Sequence, residues 1–349
     1  MMPINKRLKR ELKKNFAKYF FIGLVLFMGI TIISAFFTAT DGIMSTIESQ
    51  QSDCNIEDAN VTLVSQLSDD NISRLHEIGI NDLEDTSYCD VTALDDSDYT
   101  MRVFRVRDSV DKLSLIEGEL PANDKQIVLE SKTASAKDLS VGDEIDVDGK
   151  NYTLSGIVAV VDYNNVLQTV SSGVSNLKTF GLGFVSKQAF DGLDSAKMTI
   201  QYSLTAEDEQ SIDDAYNYLM DEEIAVNILK QSDNPRIKSI SDKTNTLKAE
   251  VTLISVVFVL LMVFIFYAMT SASVEKDSNL IGTFFSMGYT RWEIIQHYVR
   301  LPLIITLIGS VLGMITGSLL FAEPIGKITY STYSLPTFSG KVNLYLIIM

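Results

Sequence analysis

Three stretches of this chain carry no charged residue over about the width of a bilayer: Tyr19–Thr40, Val251–Val274 and Leu301–Ala322. A helix needs roughly 20 consecutive apolar residues to cross the hydrocarbon core, and each stretch reaches that length. A fourth apolar run, Val342–Met349, begins where the 349 residues stop. The pattern predicts three complete spans and the start of a fourth, as expected of a piece of a longer protein. None of the three spans holds an Asp, Glu, Lys, Arg or His. Ion- and proton-coupled carriers mark their pathways with such residues, so that class is disfavoured.

Charge sorts the remainder. Residues 1–18 hold seven Lys/Arg and one acid, Glu11. A basic segment directly before the first span argues for a cytoplasmic N-terminus. Residues 41–250 then lie outside, with 17 Lys/Arg against 40 Asp/Glu. Such acidity argues against nucleic-acid binding. The apolar run after Lys18 is too long for the core of a cleaved signal, so an uncleaved span is expected. The chain divides into a basic helix (1–18), a first span (19–40), an extracytoplasmic domain (41–250), a second span (251–273), a cytoplasmic connection (274–300), a third span (301–322), a short external loop (323–341) and the start of a fourth span (342–349).

Within 41–250 the signals are those of an α+β module. Residues 41–52 continue the first span as a helical stalk. Short strands are predicted at 61–66, 87–91, 99–107 and 112–115. A helix over 68–78, capped by Ser68 or Asp69, places Ile72, Leu75 and Ile78 on one face. Asp148-Gly149 between alternating segments is a hairpin signal. Residues 171–183, rich in Gly, Ser and Asn, read as a loop. Strands are predicted at 184–185 and 198–204, and a helix over 206–221 after Thr205. A further helix over 240–250 runs unbroken into the second span, a rod able to carry movement between the two sides. Cys54 and Cys89 fall in this domain; pairing in an oxidising space and two free thiols both remain open.

The connection Val274–Leu303 is patterned, not loose. Leu280, Ile281, Phe284, Phe285 and Met287 follow the spacing of one helix face. Gly288 stands where a helix takes a left-handed cap. Thr290 and Glu293 form a T-x-x-E capping box, which opens a second helix carrying Trp292, Ile294 and Ile295. Pro302 is expected to separate this surface helix from the third span. In that span Gly309, Gly313 and Gly317 make a stripe that permits close helix approach in lipid, against a span of the same chain or of a second copy. Glu323-Pro324 is expected to end the span.

The order E-K-D-x-x-L-I-G-T-x-x-S-M-G-Y-T-R-W-E-I resembles the cytoplasmic loop of FtsX/MacB-type ABC transporter permeases. Glu275, Lys276, Ile281, Gly282, Gly288, Thr290 and Ile294 match that family's pattern; Ser286 replaces its usual Ala, and Phe284 and Phe285 are bulkier than usual. The segment RELKKNFAKYFFI, residues 10–22, resembles the start of large permeases of this type. Gly118–Pro121, Gln126–Leu129, Val141–Asp143 and Tyr152–Val158 resemble the extracytoplasmic core domain of MacB-type members, with Gln126 where an acid is more usual.

The resemblance implies a multi-pass α-helical membrane protein of the cell membrane, with an α+β extracytoplasmic domain of MacB-core type and an FtsX-like domain over about 250–349. It implies a non-catalytic permease subunit whose ATP is hydrolysed by a separate cytoplasmic ABC ATPase. Its other partners would be the bilayer and a second permease copy or half. The coupling work would be peptide, lipid or lipoprotein handling, export, or mechanotransmission. Ile281, Gly282, Phe284, Phe285, Met287, Gly288 and Tyr289 would contact the ATPase. No cofactor is expected on this chain, which lacks a G-x-x-x-x-G-K-[ST] loop. The two histidines, His76 and His297, fall on opposite predicted sides, so no shared metal or catalytic site is expected. A membrane sensor with an outer ligand-binding domain is the alternative reading. An anchored enzyme is a third, with no nucleophile–base–metal constellation behind it.

Overall fold

A computed structural model describes residues 12–194 and 197–336. They fall into two compact units. One takes the chain up to Ile43 with Thr244–Ile328; the other takes Met44–Lys243 with the described residues 329–336. Helices and strands are numbered separately along the chain. Most of the basic segment before the first helix, and the run Val342–Met349, lie outside the described residues.

The first unit is built on three helices long and apolar enough to cross a membrane. They are α1 (Phe16–Cys54), α6 (Pro235–Lys276) and the continuous stretch Arg291–Tyr330. That last stretch comprises α8 (Arg291–Thr316), a π-turn (Gly317–Phe321) and α9 (Ala322–Tyr330). Apolar side chains cover much of their outer surface. Leu253, Leu260, Phe264 and Tyr267 of α6 are all exposed, as a helix surrounded by lipid requires. Tyr19, Met269 and Leu301, one from each helix, form a buried cluster. Lys248 and Asp41 pair at 2.7 Å on the surface.

The glycine stripe packs inside the chain. A Cβ on Gly317 would lie 2.3 Å from the Thr31 carbonyl oxygen, and one on Gly313 would lie 2.9 Å from that of Phe27. Beside this contact the Ser34 and Ser318 hydroxyls are 2.8 Å apart, and Ser318 and Thr38 are 3.0 Å apart. Of the two partners left open by the sequence, α1 of the same chain occupies the stripe.

Two expectations for the third span need correction. Pro302 does not break the helix, because α8 runs through it from Arg291 to Thr316. A proline is tolerated in a membrane helix where neighbouring groups re-satisfy the backbone. Glu323-Pro324 does not end the helix either. The π-turn resets the register, so Pro324 falls in the first turn of α9, where a missing N–H costs little.

The second unit joins two subfolds. In the first, β1 (Ala59–Leu63), α2 (Asp69–Ile78) and β2 (Ile80–Asp85) combine with β10 (Met198–Ala206), α5 (Glu209–Asp221) and β11 (Ala225–Lys230). The strands pair antiparallel in the order β11-β1-β10-β2. This is the split βαβ arrangement, with both helices contributing to one core around Leu75, Ala215 and Leu219. Ser68 caps α2 with a reciprocal Asn71 bond, and Gly79 ends it at φ +111°. Helix α5 starts later than expected. Thr205 is still in β10, and Asp208 is the cap, accepting from the Ser211 N–H at 2.8 Å.

The second subfold is a closed barrel. Its strands are β3 (Tyr88–Ala93), β4 (Asp96–Arg105), β9 (Phe180–Val185), β6 (Gln126–Glu130), β8 (Lys150–Ala159) and β7 (Glu144–Val147), in that spatial order. Strand β7 closes the ring by pairing β8 along its length and β3 at Ala93–Val147. Strand β5 (Ser114–Gly118) pairs with β8. Short helices α3 (Ser131–Ala136) and α4 (Lys187–Asp191) follow β6 and β9. The β7–β8 turn has Asp148 and Gly149 both at positive φ, +54° and +74°, the geometry an Asp-Gly hairpin turn demands.

Strand β9 corrects the reading of residues 171–183 as loop throughout. Its six residues are buried between β4 and β6. Gly181 and Gly183 are there because large side chains occupy the space a Cβ would need. Tyr99 Oη lies 2.1 Å from that point at Gly181, and Ile127 Cδ1 and Met101 Sδ lie at 2.9 and 3.0 Å from it at Gly183.

Candidate functional site

The residues singled out between the second and third spans form an elbow of two helices. Helix α6 ends at Lys276, Asp277 begins α7 (Ser278–Ser286), and Met287–Thr290 turn the chain into α8. Asp277 makes no side-chain cap bond to α7. Its carboxylate instead accepts from the Tyr298 hydroxyl at 3.0 Å, which ties the start of α7 to α8. The turn is fixed locally. Gly288 sits at φ +87°, a conformation nearly free for glycine. The Tyr289 N–H donates to the Phe284 carbonyl at 3.1 Å, and the two rings meet edge to face at 5.5 Å. Thr290 and Glu293 complete the capping box, the Glu293 carboxylate accepting from the Thr290 N–H at 2.9 Å.

The predicted residues separate into two roles. Ile281, Phe284 and Tyr289 are half-buried and hold the elbow together. Gly282, Phe285, Met287 and Gly288 are exposed, with Phe285 47% and Met287 59% accessible. Nothing lies within 4 Å of a Cβ placed on Gly282 or Gly288. Ile281 and Phe285 also line an apolar groove of about 290 Å³ with Ile294, Ile295 and Tyr298. Exposed Trp292 continues the apolar surface on α8. Asp277 and Tyr298 were not singled out from the sequence, since their contact joins two helices and follows no local spacing.

The buried charges of the second unit lie elsewhere. Glu57, Arg107, Asp111 and Asp162 are all nearly solvent-free. Arg107 donates to Asp162 at 2.6 Å, and Asp111 accepts from the Glu57 N–H at 2.9 Å. Glu57 accepts from Ser203 at 2.6 Å and from Asn60 at 2.7 Å. Burial pushes the Glu57 and Asp111 carboxyls up; repulsion from Asp162 adds to this for both, and repulsion from Glu57 adds to it for Asp111, while Arg107 opposes it. Burial works against the Arg107 charge too, but Asp162 and Asp111 outweigh it and raise its pKa. Three carboxyls share one guanidinium without contact with solvent, so the group is a structural knot that no substrate reaches.

A buried carboxyl with a raised pKa favours the fold most when protonated. The contribution of such a group to stability is therefore greatest below the ordinary carboxylate range, about pH 4, and falls as pH rises towards the raised value. Asp111→Asn removes that slope. Asn also tolerates the left-handed backbone at this position, φ +53°. Thermal unfolding of the full-length protein in detergent will show the variant more stable than wild type at pH 8 and equal to it near pH 4. The gap will grow by at most about 1.4 kcal/mol per pH unit. A constant gap between the two across that range would contradict the assignment.

Both cysteines are free thiols. Cys54, at the end of α1, lies 3.0 Å from the Ser114 hydroxyl. Cys89 is enclosed in the barrel core, where burial pushes its thiol up to about 11. The pairing left open by the sequence is not made, because each sulfur is packed among different neighbours. His76 Nδ1 is 2.8 Å from the Ile80 carbonyl at the end of α2, and His297 is buried in α8 beside Tyr298. No group of three or more His, Cys, Asp or Glu side chains is placed to hold a metal among the described residues.

Three long apolar helices, a structured elbow between two of them and a mixed α+β unit define a multi-pass membrane protein. Residues 252–348 match the family described as FtsX-like permease C-terminal. Over that segment, which holds the elbow, the chain resembles an FtsX-like permease. Two solved structures are similar to it. One is the extracellular domain of the noncanonic ABC-type transporter YknZ from Gram-positive bacteria, at 14% identity and a TM-score of 0.31, covering 48% of this chain and 100% of that one. The other is a domain of a permease protein from Porphyromonas gingivalis, at 12% identity and a TM-score of 0.28, covering 48% and 84%. No curated protein matches the chain.

Proposed function

We propose that this permease is the transmembrane subunit of an ABC transporter, driven by an ATPase on a separate chain that docks on the elbow. The observation that carries the reading is the form of the elbow. Its backbone is fixed by a capping box, a glycine turn and the Asp277–Tyr298 bond, yet it exposes Phe285, Met287 and Trp292. A rigid elbow showing large apolar side chains is suited to transmit force from a partner, since aromatic and Met anchors dominate interfaces. The open surface over Gly282 leaves room for a close approach. The basic residues before the first span support a cytoplasmic N-terminus; with that orientation the elbow would lie on the cytoplasmic side and the α+β unit outside. ATP hydrolysis would then be coupled to movement of that unit, for export, for peptide, lipid or lipoprotein handling, or for mechanotransmission. A second permease copy or half would complete the translocation unit.

A photo-crosslinking residue at Phe285 or Met287 tests the docking site in native membranes. The expected result is a crosslink to a nucleotide-binding protein from both positions and none from Leu253, which faces outward in the middle of α6. Equal crosslinking from all three, or none from the elbow, would contradict the reading.

A further inference from the structure

The second unit carries a cleft of about 570 Å³, within the range of small-molecule sites. Its walls come from α3, the 165–178 loop and the described residues after α9. Residues 41–250 contain more than twice as many acids as bases, yet no Asp or Glu lines this cleft. It presents Lys132 and Lys178 instead. Among the described residues neither ammonium has a carboxylate within 4.0 Å, although Glu130 acts on Lys132 at longer range. Lys132 is half-buried, and burial pushes its ammonium down, so an anion arriving there would relieve a cost already present. The Ser175 hydroxyl in the same wall is shielded from solvent without a hydrogen-bond partner among the described residues. The wall is held in place. Lys137 Nζ donates to the Lys178 carbonyl at 3.2 Å, and Arg236 donates to the carbonyls of Leu167 and Gln168 at 3.0 and 2.9 Å. Val174, 82% exposed, adds an apolar flank.

We infer that this cleft binds a phosphate group borne on a small organic molecule, with Lys132 and Lys178 as its charge partners and Ser175 as a hydroxyl donor. Lysine suits phosphate because an ammonium is a point charge with three rotatable donors, and two of them here can share one dianionic group. The apolar flank fits the organic part. This site is independent of the ATPase reading, and its failure would leave that reading untouched.

The test uses the full-length protein in phosphatidylcholine nanodiscs. Lysine acetylation by an activated acetate ester is followed by mass spectrometry, with exposed Lys125 and Lys187 as internal references. The probes are inorganic phosphate, glycerol phosphate and short-chain phosphatidylglycerol, at ionic strength matched with sodium chloride. A probe at about ten times its Kd should slow acetylation of Lys132 and Lys178 about tenfold by mass action, leaving the references unchanged. Protection by phosphatidylglycerol alone assigns the phosphate to a lipid headgroup; protection by glycerol phosphate assigns it to a soluble ligand. The Lys132→Gln/Lys178→Gln variant should lose calorimetric binding of the protecting probe while keeping the wild-type Tm. No protection from any probe, or equal protection of Lys125 and Lys187, overturns the inference.

Discussion

Replacing Arg107 with leucine will destabilise the α+β unit by about 3–5 kcal/mol, the cost of leaving buried charge uncompensated. The guanidinium is the only cation set among Glu57, Asp111 and Asp162 in the described structure, and its bond to Asp162 is 2.6 Å long. Without it, three buried carboxyls repel one another. They can escape by taking up protons or by opening the fold. Protonation is the cheaper route at low pH, so the loss will shrink as pH falls towards about 4. Unfolding of the full-length protein at pH 8 and pH 5 measures both. A loss below about 1 kcal/mol at pH 8, or one independent of pH, would show that the knot does not hold the charge assigned to it.

Gly317→Leu will separate α1 from the third membrane helix. The added Cβ meets the Thr31 carbonyl at 2.3 Å and the Ala35 nitrogen at 3.0 Å. Both are backbone atoms of a helix, which can yield only by moving the whole helix. Overpacking typically costs about 1–3 kcal/mol. Displacement would also break the Ser34–Ser318 and Thr38–Ser318 bonds, each worth roughly 0.6 kcal/mol in a membrane. Gly309→Ala is the internal comparison, because the one tight contact of its Cβ is the end of the Leu26 side chain at 2.8 Å, which can rotate away, while the backbone of the facing helix stays at 3.5 Å or more. Thermal unfolding in detergent should place Gly317→Leu far below wild type and Gly309→Ala near it. Similar stability for the two variants would show that the stripe is not in close contact with α1.

What the sequence revealed and what it hid follow from the range of the interactions involved. The Thr290–Glu293 box, the Gly288 turn and the Asp148-Gly149 hairpin depend on residues within a few positions of one another, and each was readable. The glycine stripe was readable as spacing, but its occupant was not, because a glycine every fourth residue does not name the helix that fills it. Gly181 and Gly183 read as loop because the side chains that require them, Tyr99, Met101 and Ile127, come from strands distant in sequence. The same holds for the knot. Glu57, Arg107, Asp111 and Asp162 were indistinguishable from solvated surface charges until the fold brought them together. In the elbow, the helix-face spacing identified the segment but did not separate Phe284, which braces Tyr289, from Phe285, which is exposed.

The proposed coupling is tested most directly by purifying the full-length protein from native membranes in mild detergent and identifying what accompanies it. The account predicts a stoichiometric P-loop ATPase that is lost in Gly288→Asp. The φ of +87° strains any side chain there, but nothing beyond its chain neighbours lies within 4 Å of the new Cβ and Asp tolerates positive φ better than most residues, so the variant should keep its fold, which its Tm checks. Recovery of the chain alone, or with a kinase-like partner in place of an ATPase, would contradict it and favour a membrane sensor.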